Sequence, residues 1–279
     1  MKRWSEPIYP IAQWEWGPAE VRRYALAVGA PRSPMDDGDL RLVMTDQPDV
    51  LPTFAMLLAD AHSLRYIPLP GIDYAPADVI YAGHELEVFR PLASTESGTS
   101  YSRIISVGDV RSGVLVQRET LSRDVAGEPI ARNVVTSVIR GAVSGVPNRP
   151  SSPREDEVNG HDQELDLATL PQQALLYAQT GDDNPLHWNP ETARAAGFER
   201  PILHGLCSAA MVTRAIIGHV TGHDWSAFRR LSVRFTSPVV PGDTIRIGIS
   251  GPRSAIRFTA SVGSREVLSA GLIELDRGA

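Results

Sequence analysis

One stretch of the chain gathers side chains that move protons. It reads Tyr177-Ala178-Gln179-Thr180-Gly181-Asp182-Asp183-Asn184-Pro185-Leu186-His187-Trp188-Asn189-Pro190. Gly, Asn, Asp and Pro are too frequent there for a helix to continue, so the stretch reads as a loop. Asp182 and His187 stand five positions apart on it, and Pro185 between them stiffens the backbone. A carboxylate and an imidazole so placed can converge on one small molecule, one taking a proton as the other gives it. Further on comes Pro201-Ile202-Leu203-His204-Gly205-Leu206-Cys207, a turn that feeds an apolar helix. Backbone N–H groups at a helix start have no partner within the helix and attract negative charge. Gly205 there admits a ligand carbonyl close to the backbone.

These residues need elements to hold them, and the chain supplies two sets. A Pro-, Ser- and charge-rich segment without apolar periodicity reads as a linker over 146–165, between halves at 1–145 and 166–279. Each half opens with a helical pattern ending in a Tyr-Ala pair, Tyr24-Ala25 and Tyr177-Ala178. Each then has an apolar helix rich in small residues, expected over 53–66 and 204–220. Strands follow. Glu85-Leu86-Glu87-Val88-Phe89-Arg90-Pro91 parallels Ser232-Val233-Arg234-Phe235-Thr236-Ser237-Pro238, both alternating and both stopped by proline. Further strands are expected at 100–107, 114–122 and 133–140, and at 245–249, 256–262 and 267–275. The pattern is that of a sheet wrapped around a buried helix, present twice, as a pseudo-dimer.

The 279 residues are 42% apolar and 22% charged, which excludes a disordered chain, a collagen-like fibre and a disulfide scaffold. Lys and Arg number 27 against 33 Asp and Glu, a net charge of -6. That balance gives no footprint for nucleic acid or an anionic membrane. No apolar run approaches the ~18 residues of a membrane span. The single cysteine, Cys207, cannot form an internal disulfide, so a reducing, cytoplasmic location is expected.

Gly181-Asp182-x-Asn184-Pro185-Leu186-His187 resembles the signature of the (R)-specific, or type 2, enoyl-CoA hydratases of the MaoC-like group. Gly197-Phe198-Glu199-Arg200-Pro201-Ile202-Leu203-His204-Gly205-Leu206-Cys207 resembles that family's second motif. Residues 16–29, Leu51-Pro52-Thr53-Phe54, Pro147-Asn148-Arg149-Pro150 and 235–242 are similar to the hydratase domain of peroxisomal multifunctional enzyme type 2. The resemblance implies an α+β double hotdog, two antiparallel sheets each wrapped around a long central helix. It implies addition of water to trans-2-enoyl-CoA to give (3R)-hydroxyacyl-CoA, or the reverse, without metal or redox cofactor. The partner is then an acyl-CoA thioester or an acyl carrier protein thioester, and a homodimer is a further expectation. Asp182 and His187 take the place of the catalytic pair, Asn184 orders the pair and the water, and Gly205 is the backbone oxyanion donor. The first half lacks this equipment, so one active site is expected, with the first half making room for the acyl chain. Relatives often carry His-Gly-Glu-Gln where this chain has Tyr81-Ala82-Gly83-His84, which leaves the role of that segment open.

Two rival readings are a hotdog thioesterase and a non-catalytic acyl-CoA-binding subunit; the Asp-x-Asn-Pro-x-His loop disfavours both. His204 is expected to support the loop, His219 and His223 to lie at the surface, and His62 and His84 in the core or an interface. Cys207 reads as a buried inert thiol. Asp36-Asp37-x-Asp39 has the glycine and distal glutamate of a calcium loop misplaced and reads as a solvated turn. Arg194, Arg229 and Arg230 are candidates to meet CoA phosphates.

Overall fold

A computed structural model describes residues 9–59, 69, 71–147 and 160–276. The first half contributes strands β1 (Tyr9–Trp16), β2 (Val79–Val88), β3 (Glu96–Val110), β4 (Gly113–Asp124) and β5 (Pro129–Arg140). The second contributes β6 (Gln163–Ala168), β7 (Phe228–Phe235), β8 (Thr244–Ser250), β9 (Ala255–Val262) and β10 (Arg265–Leu275). They form one ten-stranded sheet in the order β1-β3-β4-β5-β2-β7-β10-β9-β8-β6. Read from either end, the order is the same scheme, so each half is a copy of the other. The halves join edge to edge where β2 meets β7, with Leu86 opposite Leu231 and Glu87 opposite Arg230.

Helices α1 (Pro18–Ala27), α2 (Asp37–Leu40), α3 (Gln173–Ala178), α4 (Pro190–Ala195) and α5 (Gly205–Thr221) complete the described regular structure, with a few 3₁₀ turns. The sheet buries α5 on nearly every face, from Leu206 through Ile217. Ala209, Ala210 and Ala215 let the strands approach, while Met211, Val212, Ile216 and Ile217 fill the space. Each fully buried aliphatic side chain of this kind contributes about 1.5–3 kcal/mol. The helix ends at Gly222, whose φ of 69° is the left-handed conformation of a C-terminal cap.

The first half departs from its expected helix. Residues 52–59 wind as a 3₁₀ helix, and the rest of the expected span lies outside the described residues. The run Pro52-Thr53-Phe54-Ala55-Met56-Leu57-Leu58-Ala59 is apolar on all sides, so its pattern cannot separate a period of 3.6 from one of 3.0. Its carbonyls are also claimed by side chains. Asn133 Nδ2 donates to Ala55 O at 3.1 Å and Arg118 Nη2 to Ala59 O at 2.8 Å.

A buried ion pair ties the halves together. Arg214 of α5 pairs with Asp39 of α2, and both are nearly inaccessible. Arg214 also donates through Nε to Val28 O at 3.2 Å and through Nη2 to Gly29 O at 2.9 Å. Asp39 is therefore a structural anchor in a segment whose composition suggests a solvated turn, while Asp37 is exposed as expected. His223, expected at the surface, sits partly buried with Nε2 3.5 Å from Asp36 Oδ1. His219 is exposed and meets Gln163 at 2.6 Å. His62 lies outside the described residues, as does most of the segment read as a linker.

Candidate active site

The loop after α3 is shaped by its own side chains. Gly181 takes a φ of 117°, open mainly to glycine. Asp182 Oδ1 accepts the Asn184 N–H at 3.3 Å, and Asn184 Oδ1 accepts the Leu186 N–H at 3.2 Å. Asn184 thereby caps the single 3₁₀ turn Pro185–His187, which Pro185 opens. Trp188 Nε1 pins the far side by donating to Asp183 O at 2.8 Å.

The second motif locks onto this loop. His187 Nδ1 lies 2.9 Å from Ile202 O. A carbonyl can only accept, so Nδ1 carries the proton and the lone pair of the neutral ring is on Nε2. His204, the cap residue of α5, likewise donates from Nε2 to Asp182 O at 3.0 Å. Its ring stacks on that of His187 at a centroid distance of 3.7 Å. His204 takes the supporting place expected of it. The result is a cluster in which ligand-type atoms of Asp182, His187 and His204 all lie within 4.8 Å of one another. That spacing suits one water hydrogen-bonded to two of them.

Asp182, Asn184, His187, His204 and Gly205 all line one cavity of about 350 Å³. Gly205 is the first residue of α5, so its N–H has no acceptor within the helix. A Cβ built on it would lie 3.1 Å from the ring of Phe235. Gly205→Ala should therefore push that ring and whatever rests on it, lowering kcat about tenfold. Thermal stability should hold, since alanine is the better helix former. Steady-state kinetics beside a melting curve separates the two effects.

Several residues that line or brace the cavity have contacts that no local spacing assigns. Tyr81 of β2 lines it and packs edge-on against Phe235 at 5.5 Å. Burial pushes the Tyr81 phenol well above its usual range, with Arg118 lowering it and Asp182 raising it by charge. Tyr81 belongs to a directed chain. Asn133 donates to Ala55 O, so its Oδ1 faces His84 and accepts from Nε2 at 2.8 Å. His84 Nδ1 then accepts the Tyr81 hydroxyl at 2.8 Å. The segment Tyr81-Ala82-Gly83-His84 thus braces the cavity wall from the first half.

His84 is in the core, and burial lowers its pKa from 6.5 to about 4, with the Asn133 bond opposing and Arg118 adding to the fall. The folded state therefore keeps it neutral while the unfolded chain takes up a proton below about pH 6.5. Stability from this group is present above that pH and is lost as pH falls toward 4, about 2 kcal/mol of it by pH 5. His84→Gln should flatten the dependence of the melting temperature between pH 7 and 5 relative to the parent; equal slopes would contradict this.

Cys207 is fully buried and burial pushes its thiol far up, as for an inert group. Arg229 pairs with Asp276, and Arg230 with Glu85 and Glu274. Neither they nor Arg194 lines the cavity; Arg140 does.

Residues 14–141 match the family described as MFE-2 hydratase 2 N-terminal domain, and residues 155–269 the MaoC like domain. The chain is 33% identical over 256 residues to the enoyl-CoA hydratase ChsH3 of Mycobacterium tuberculosis, covering 91% of this chain and 89% of that one. It is 34% identical to the peroxisomal enoyl-CoA hydratase 2 of Arabidopsis thaliana, covering 85% and 82%. The crystal structure of a MaoC-like dehydratase from Phytophthora capsici superposes with a TM-score of 0.83 at 28% identity, over 99% of this chain and 97% of that one.

Proposed function

This chain belongs to the MaoC-like, enoyl-CoA hydratase 2 family and has its double hotdog fold, and from that premise we propose how it works. It adds water to trans-2-enoyl-CoA to give (3R)-hydroxyacyl-CoA and catalyses the reverse dehydration.

Hydration puts hydroxide on Cβ and a proton on Cα, with negative charge gathering on the thioester oxygen. His187 Nε2 takes a proton from the water as the Cβ–O bond forms. Asp182, protonated at the start of the step and hydrogen-bonded to the same water, gives its own proton to Cα on the same face and is left as a carboxylate. Transfer between the two groups then returns each to its starting state, so the site gains and loses no proton overall. Asn184 orders the loop and presents its amide to the cavity, and the Gly205 N–H receives the developing enolate oxygen. Such a donor is worth roughly 3–4 kcal/mol, and acid–base assistance about 10²–10⁴-fold. The observation that supports this division of labour is the Nδ1 bond of His187 to Ile202 O, which leaves Nε2 as the basic nitrogen of a ring clustered with Asp182.

The chemistry calls for no metal or redox cofactor. No helix among the described residues is long and apolar enough to cross a membrane. The lone, buried Cys207 supports a reducing cytoplasmic location, and a homodimer is part of the proposal. Loss of the conjugated-enoyl absorbance on adding purified protein, with the 3-hydroxy product resolved on a chiral phase, tests the activity. A 3S product, or release of free thiol instead, would overturn it. Light scattering of the purified chain tests the dimer.

A further inference from the structure

Among the described residues that line the catalytic cavity, Arg140 is the one arginine or lysine. It is the last residue of β5, in the half without the catalytic pair. Its side chain is solvent-exposed and donates from Nη2 to Ala77 O at 3.2 Å. It makes no ion pair among the described residues, whereas Arg229, Arg230 and Arg246 are each matched by a carboxylate.

Its position follows from the β2–β5 ladder. Tyr81, against Phe235, stands opposite Ser137; Ile80 is opposite Val138 and Val79 opposite Ile139. Arg140 comes three residues after Ser137, about 10 Å further along the strand, and lines the cavity beside Ala77, Val79 and Ile80. The wall between is apolar, and Ile80, 43% exposed, marks where it reaches solvent. A deep reactive centre, an apolar slot and a cation at the rim match a ligand with a reactive end, an uncharged arm and an anion. On a chain of net charge -6 an anionic ligand needs such a local cation.

Resting on the thioester reading above, we propose that Arg140 binds a phosphate on the substrate's pantetheine-containing handle. The half without the catalytic pair then recognises the handle while the other half does the chemistry. A guanidinium suits this because its fork of donors matches phosphate oxygens. The phosphate is either the one ending the pantetheine arm, common to CoA and carrier-protein thioesters, or one on the CoA nucleotide.

Calorimetric binding of CoA, 4′-phosphopantetheine and pantetheine to the full chain and to Arg140→Ala tests this without needing turnover. The variant should bind CoA about tenfold more weakly and pantetheine equally well. A matching loss for 4′-phosphopantetheine assigns the contact to the arm's phosphate; a loss for CoA alone assigns it to the nucleotide. With enoyl-CoA, KM should rise and kcat hold, and Arg140→Lys should recover part of the loss. Equal effects on CoA and pantetheine, or no effect on CoA, would overturn the proposal. Failure of the parent protein to hydrate enoyl-CoA would instead strike at the activity, leaving the binding contrast readable.

Discussion

Asp182→Asn lowers kcat/KM for a trans-2-enoyl-CoA by about 10²–10⁴-fold, the range of a lost proton-transfer group. The amide keeps the shape of the carboxylate, and its oxygen can still accept the Asn184 N–H. The backbone carbonyl that holds His204 is untouched. Folding should therefore be unchanged, and the melting temperature should match the parent. His187→Gln should cost a similar factor. Because the pair acts on one water, the double variant should fall little below the worse single one. Multiplying losses would mean that the two groups act independently. Full activity in Asp182→Asn would remove the carboxylate from the mechanism.

The largest stability effect belongs to Asp39→Ala. It leaves the Arg214 guanidinium buried with its countercharge gone, although the carbonyls of Val28 and Gly29 remain. Breaking a buried pair from one side costs about 3–5 kcal/mol. For a chain of this size that lowers the melting temperature by about 10 °C. Adding Arg214→Met should restore much of it, since replacing both partners removes the stranded charge. A melting temperature within about 2 °C of the parent for Asp39→Ala would show that the pair is not the tie between α2 and α5.

Much of this architecture is legible in the residues. Alternation with terminal prolines marks β2 and β7, and the apolar run from Leu206 marks α5. The missed elements have physical causes. β6 begins at Gln163, within the segment read as linker, and of its six residues only Leu167 is buried. An edge strand so rich in Gln, Glu and Asp imitates a polar connection. The 3₁₀ helix at 52–59 has no polar face to reveal its period. Within the site, Asp182, His187, Asn184 and Gly205 are visible because they sit in two compact motifs. The contacts of Tyr81, Phe235, Arg140 and the Ile202 carbonyl are not, because sheet pairing and loop closure make them across long separations. No local spacing encodes Tyr81 beside Phe235, 154 positions later. The buried Arg214–Asp39 pair is hidden for the same reason, since charged residues in a polar segment suggest a solvated turn.

The central claim is that Asp182 and His187 serve one water from one side of the double bond. Hydration of a trans-2-enoyl-CoA in deuterium oxide tests it most directly, with the relative configuration of the Cα–D and Cβ–O bonds read by NMR. A shared water on a single face predicts one diastereomer, with both new bonds on the same side. Predominantly anti product, or an even mixture formed before any exchange at Cα, would contradict it.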